Sequence, residues 1–297
     1  MLLAKRIPLS YIFKKVKSDL VYVFIVGLVV NVFKYTFDNF LPEMPLNIPV
    51  FLGTAISILL SFKISQSYDR WWEARKIWGS IVNDSRSFVL QLQGFLLLDN
   101  PTLIKKMAYR QIAWCYSLGQ SLRGLNPVEN TENLLSAEDL NEISRHANKP
   151  LAILQLNVLD LKKLRADNQI SDFPHIQIDE TYVRLCDSMG RAERINNTVF
   201  PASYRIFLHF TIYLFVAVLS IALKDIYLIY ELPLLILFSM VFFLLEKTAY
   251  HMQDPFMNRP SDTSVTAIAR TIDINIRQLL GEEKVPEPLK AESYYIL

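Results

Sequence analysis

The chain has 297 residues, 52% of them hydrophobic, with 31 basic and 29 acidic side chains and a formal net charge of +2. Near-balanced charge argues against a long polybasic surface for DNA, RNA or acidic lipid. The apolar excess over an ordinary soluble domain is modest, so its position is more telling than its size. It gathers in Leu20 to Phe62 and Ile206 to Leu245, and the residues between read as a soluble helical protein.

The first run, LVYVFIVGLVVNVFKYTF from Leu20 to Phe37, approaches the roughly 20 residues that cross about 30 Å of hydrocarbon. Lys34 is expected to reach the interface along its long stem. The run starts late and lacks a small-residue cleavage pattern, so it reads as a retained membrane segment rather than a leader. The second run, Ile48 to Phe62, is about 22 Å long at 1.5 Å per residue. That is short for a helix surrounded by lipid, and less of a problem for one enclosed by neighbours around water. Ile206 to Leu223 and Ile226 to Leu245 complete the set. Segments are therefore expected at 20–40, 48–62, 206–223 and 226–245, with a helical body at 63–205 and 246–297.

Flanking charge orients them. Lys5, Arg6, Lys14, Lys15 and Lys17 precede the first run, and Lys63, Arg70, Arg75 and Lys76 follow the second. The connection through Asp38 and Glu43 has no basic residue, and the last linker sets Lys224 against Asp225 and Glu231. Lys247 and Arg259 follow the last run. Positive-inside bias then puts both termini and the body in the cytoplasm.

Directly after the second run stands SYDRWWEARKIWG, Ser67 to Gly79, dense in both tryptophan and charge. Trp71, Ala74, Trp78, Ile81, Phe88, Leu92 and Phe95 recur at helical spacing to about Leu98. Glu73 lies three residues from both Arg70 and Lys76, within pairing distance on a helix. The tryptophans suit either an interfacial anchor or core packing. Asn100-Pro101 predicts a break, then a helix from Leu103 to Leu122. Ser136-Ala-Glu-Asp139 starts a short helix in capping-box fashion, and Asn148-Lys149-Pro150 starts another that reaches Ala166. Asp167 to Pro174 reads as a second break, where Phe173 is an aromatic in a polar connection. Helix resumes from Gln177 to Asn197, and Pro201 introduces the third apolar run.

Enzyme chemistry finds no footing. His146, His175, His209 and His251 are scattered, with no HExxH or CxxC spacing. Glu246, His251 and Asp254 do not share one helical face, and charge pairing is the simpler reading. Neither Cys115 nor Cys186 has a neighbouring histidine to activate it, and a structural disulfide is not expected. Phosphate-cradle and GxSxG motifs are absent from the sequence.

Thr54, Ile58 and Phe62 lie four residues apart on one side of the second run. Ala55, Ser57 and Ser61 are small enough to let helices approach. This stripe is either ordinary packing or, with several copies around an axis, stacked rings that close a conduit by dewetting. One chain has too few spans for a pore of its own, so an oligomer follows.

In residue order the chain resembles the bestrophin family of ion channels, particularly its short bacterial-type members, from about Leu9 through Gly281. GTAISILLSFKISQSYDRWWEARKIWG, Gly53 to Gly79, is similar to the family's pore-neck helix and the SYxRxxEAR segment after it. Glu193 to Phe215 resembles the approach to its third membrane helix. HMQDPF, His251 to Phe256, resembles a motif that ends in an acidic residue or asparagine, proline and phenylalanine.

The resemblance implies an all-α, bestrophin-like protomer with four membrane helices, forming one domain over 1–297. It implies a homopentamer with an axial pore in a cell membrane, the bacterial inner membrane for such a member. Its partners would be membrane lipids and small monovalent ions, without nucleic acid. It carries the neck onto Thr54, Ile58 and Phe62 and a lower aperture onto Phe173. Thr54 departs from the family's apolar residue there, which implies a wetter and weaker ring. Animal members bind calcium in an acidic clasp after this motif. Met257 to Ser264 offers Asp262 alone, whereas calcium takes six to eight oxygens, so neither a dedicated calcium switch nor another cofactor is expected. Ion sign stays open: animal members resemble anion channels and bacterial-type members include cation-selective ones. Asp69, Asp172 and Glu180 are candidates for attracting cations, or for surface ion pairs. The functional expectation is a passive ion channel; the alternative is a non-conducting membrane scaffold.

Overall fold

The computed structural model describes residues 8–37, 43–97, 100–129, 131–198, 201–291 and 294–296. The end of the first expected segment, 38–40, lies outside them, as do Lys5, Arg6 and Asp38. The chain is all-α. Among the described residues the helices are α1 (Leu9–Thr36), α2 (Asn47–Phe95), α3 (Pro101–Leu122), α4 (Ala137–Ser144), α5 (Lys149–Ala166), α6 (Asp172–Asn197), α7 (Ala202–Ala222), α8 (Leu228–Gln253) and α9 (Val265–Leu279). Four of them, α1, α2, α7 and α8, are long and apolar enough to cross a membrane.

Local chemistry sets the helix starts in the middle of the chain. Asn100, Ser136 and Asn148 cap α3, α4 and α5, their side chains accepting from the backbone N–H groups of Leu103, Asp139 and Leu151. Each cap satisfies a donor that the first helical turn would otherwise leave unpaired. Pro101 and Pro150 follow two of these caps, where a missing N–H costs nothing. Helix α6 begins at Asp172, five residues before the expected Gln177, so Phe173 and Pro174 lie in its first turn. Proline is tolerated there for the same reason.

Helix α2 is continuous over 49 residues. The expected apolar segment and the tryptophan-rich stretch after it are parts of one rod.

Two compact units divide the chain: Lys5–Arg70 with Val199–Gln253, and Trp71–Thr198 with Asp254–Leu297. The first, called the membrane unit below, has its core in Val16 and Val23 of α1, Ile56 and Leu60 of α2, Leu208, Ile212 and Val216 of α7, and Leu235 and Phe243 of α8. The second, the body, is centred on Trp78 and Phe88 of α2, Met107 and Trp114 of α3, Ile153 of α5, Leu185 of α6 and Ile272 of α9. Each such side chain removed from water contributes about 1.5–3 kcal/mol.

Helix α9 was not expected as an element. Val265, Ala269, Ile272 and Ile276 are buried along it at three- and four-residue spacing, a helical stripe visible in the sequence. Its first residue sits tight on α3: a Cβ added at Gly119 would meet Val265 Cγ1 at 2.6 Å.

Candidate functional site

Thr54, Ile58 and Phe62 lie on the outward side of α2, with Ile58 53% and Phe62 64% exposed. Ile56 and Leu60, on the opposite side of the same turns, are buried. The stripe is therefore not packed inside the protomer. The Thr54 hydroxyl donates to Val50 O at 2.9 Å and the Ser57 hydroxyl to Gly53 O at 2.8 Å. Both donors are spent on the helix's own carbonyls, so neither is free to hold water strongly.

Two contacts hold this turn of α2 from behind. The Tyr204 hydroxyl donates to Leu59 O at 2.8 Å. Lys63, 1% exposed, donates to Glu246 Oε1 at 2.9 Å. Leu59 and Lys63 directly follow Ile58 and Phe62, so each stripe residue is seated beside a fixed backbone position. Glu246 Oε2 lies 3.3 Å from His209 Nε2, and Arg205 Nε approaches Oε1 at 3.9 Å. The imagined Glu246, His251 and Asp254 ligand set does not form, and no metal-holding group of three or more His, Cys, Asp or Glu occurs among the described residues.

Two further lysine–carboxylate pairs are buried in the membrane unit. Lys34 does not snorkel to the interface. Its ammonium donates at 2.8 Å to each Glu231 oxygen and at 2.9 Å to Ser220 O, joining α1, α7 and α8. The Ser220 hydroxyl and the Asn31 amide also donate to Glu231. Glu231 is thus no linker charge; it lies inside α8 and is fully buried. Lys247 pairs with Asp19 at 3.1 Å. Lys63 and Lys247 therefore leave the flanking-charge pattern. Lys14, Lys15 and Lys17 in the N-terminal part of α1, and Arg70, Arg75 and Lys76 along α2, keep its sign.

In the body, Phe173 is 85% exposed, on the same face of α6 as Ile176, Glu180 and Val183. It anchors nothing within the protomer. Asp172 pairs with Arg165, which offsets its charge locally. Asp69 and Glu180 are exposed and make no ion pair among the described residues. The tryptophans divide: Trp78 is core, Trp71 donates to Ser261 O at 3.1 Å, and Trp72 is exposed. Glu73 pairs with Lys76 at 2.6 Å and Arg191 at 2.7 Å, while Arg70 donates to Gln253 O at 2.9 Å.

Asp262 is buried and held by its own loop, accepting from the Arg259 backbone N–H at 3.0 Å and the Ser261 hydroxyl at 3.3 Å. Burial pushes its carboxyl up to about 6, and a lone carboxylate falls well short of the six to eight oxygens that calcium takes. An arginine-centred network, absent from the sequence reading, stitches α3, α4 and α5. Arg110 clasps Asp139 with two bonds, at 2.9 and 2.6 Å, and reaches Asp160 at 2.6 Å. Burial alone would raise both carboxyls; the guanidinium outweighs it and holds both below their usual range.

A family model described as "Bacterial/Fungal Bestrophin protein" matches residues 3–278. The chain is 31% identical over 248 residues to the voltage-dependent anion channel-forming protein YneE of Escherichia coli O157:H7, covering 83% of this chain and 80% of that protein. The voltage-dependent anion channel-forming protein RSc3414 of Ralstonia nicotianae is 24% identical over 82% of this chain and 80% of its own length. Among solved structures, a bacterial bestrophin homolog from Klebsiella pneumoniae superposes with a TM-score of 0.83 at 26% identity, covering 89% of this chain and 98% of that one.

Proposed function

Because the chain belongs to the bacterial and fungal bestrophin family and is a multi-pass membrane protein with four apolar spans, we propose that it is a passive homopentameric channel for small monovalent ions. It is a channel and not an enzyme. The observation that carries this reading is the outward stripe of Thr54, Ile58 and Phe62 on a helix whose opposite side is fixed by Tyr204 and Glu246. Five copies of that stripe around an axis would make a narrow apolar neck, which closes by shedding water rather than by a plug. The spent Thr54 hydroxyl makes its ring less wet than a free hydroxyl would. Phe173 is assigned a second constriction, supported by its 85% exposure in the first turn of α6. Both termini and the body are read as cytoplasmic, on the lysines in the N-terminal part of α1 and the basic residues along α2.

Anions are the first reading for the carried ion, because the named relatives form anion channels. Exposed Asp69 and Glu180 favour the second, cations. A planar-bilayer recording in asymmetric salt tests both points at once. Current with a reversal potential at the chloride equilibrium potential supports the first reading; reversal at the cation potential replaces it with the second. Sealed liposomes that hold the assembled protein and pass no ion would leave the scaffold alternative standing and end the channel reading.

A further inference from the structure

A groove of about 590 Å³ runs along α1 in the membrane unit, lined by Ser10, Phe13, Lys14, Lys17, Leu20, Val21, Phe24 and, from α8, Ile236. Its two ends differ in chemistry. Lys14 and Lys17, one helical turn apart, stand at the N-terminal end and are exposed. C-terminal to them the lining is apolar, with Val21 and Phe24 exposed, while exposed Phe13 flanks the lysines on their N-terminal side. From Lys17 to Phe24 the apolar part extends about 10 Å along the helix.

Among the described residues no carboxylate pairs with the two lysines. Asp19, the nearest carboxylate in sequence, is buried on another side of α1 and committed to Lys247 at 3.1 Å. No ion pair of Lys14 or Lys17 occurs among the described residues. The groove therefore presents two uncompensated positive charges at one end of a greasy channel, at the end of a membrane helix. An occupant must combine an anionic head with an apolar body at least 10 Å long, in that order from the helix N-terminus. We infer that this groove binds an anionic glycerophospholipid, its phosphate between Lys14 and Lys17 and an acyl chain along Val21, Phe24 and Ile236. The inference needs α1 to lie in a bilayer and does not depend on conduction.

The test uses the full chain in nanodiscs of phosphatidylcholine carrying a minority of phosphatidylglycerol, with retained lipids counted by native mass spectrometry after gentle extraction. Each lysine contributes roughly a fivefold preference for an anionic head, hence about twenty-fivefold for the pair. The parent protein is expected to retain phosphatidylglycerol by about that factor over phosphatidylcholine. Lys14→Gln with Lys17→Gln brings the ratio near unity, whereas Lys14→Arg with Lys17→Arg keeps it. Val21→Trp, which fills the groove and leaves both charges, lowers retention of phosphatidylglycerol. Equal retention of the two lipids by the parent protein would reduce the groove to annular contact and overturn the inference. So would a preference that survives the double glutamine variant, or one that survives Val21→Trp while inorganic phosphate competes it away, since that describes an anion site without a lipid. Oxidative crosslinking of Phe24→Cys between copies would assign the groove to a second protomer and also overturn it.

Discussion

The two compact units bury charge in different ways. The membrane unit uses lysine–carboxylate pairs, each joining helices far apart in sequence: Lys34 with Glu231, Lys63 with Glu246, and Lys247 with Asp19. The body instead clasps Asp139 and Asp160 with Arg110, and leaves Asp262 to its own loop. Their surfaces differ in the same sense. Apolar side chains such as Val29, Val32, Phe51 and Phe210 are exposed over the membrane unit, whereas the exposed apolar residues of α6 in the body, Phe173, Ile176 and Val183, alternate with exposed acidic ones such as Asp172, Asp179 and Glu180. A unit facing hydrocarbon has no water with which to share an unpaired charge, so Lys34, Lys63 and Lys247, drawn into its interior, are each matched. In the body, water and backbone dipoles share that task, and a carboxyl can instead hold its proton.

The strongest way to break this contrast is to remove the close partner of one buried charge. Lys63→Ala, which leaves Glu246 with His209 at 3.3 Å and Arg205 at 3.9 Å in place of its 2.9 Å ammonium, is expected to cost about 3 kcal/mol and to lower the thermal unfolding temperature in detergent. Lys63→Met with Glu246→Met should recover most of the loss, because two matched apolar groups replace the pair. A Lys63→Ala protein as stable as the parent would show that the membrane unit tolerates unpaired charge.

Asp262 gives the next largest effect, and of opposite character. Its folded pKa, about 6, lies above the ordinary 3.8. The stability it contributes is complete below about pH 4 and is lost as pH rises through about 6, on the order of 2–3 kcal/mol in all. Asp262→Asn should flatten that part of the stability profile while holding the Arg259 contact. An unchanged profile would mean that Asp262 is ionised throughout.

On the surfaces the expected effects are smaller in energy and larger in current. Ile58→Ala or Phe62→Ala should widen and wet the neck and raise unitary conductance severalfold, while Val29→Ala on α1 leaves it unchanged. Equal responses at the two helices would erase the distinction between a water-facing and a lipid-facing side. Phe173→Ala is expected to move stability by less than about 0.5 kcal/mol yet alter permeability with assembly intact, as read from reversal potentials and size-exclusion profiles.

Much of the architecture was readable because its causes are local. The apolar runs anticipated α1, α7 and α8, and the side-chain oxygens of Asn100, Ser136 and Asn148 marked the starts of α3, α4 and α5 within two residues. What escaped reading depends on residues distant in sequence. Lys34 and Glu231 are separated by 197 positions, so an interfacial lysine and a linker glutamate were the natural readings of each alone. The early start of α6 was hidden by Pro174, which usually signals a break and here occupies a first turn. The neck stripe was visible as a spacing, but its outward direction and the clasp behind it required the fold.

The body also holds two thiols of opposite character. Cys115 is fully buried, its pKa pushed up to about 12 by that burial, and Cys186 is exposed on α6. A maleimide dye at neutral pH therefore attaches once per chain without any engineering. Counting photobleaching steps on single particles would then read the number of subunits straight from the unmodified sequence.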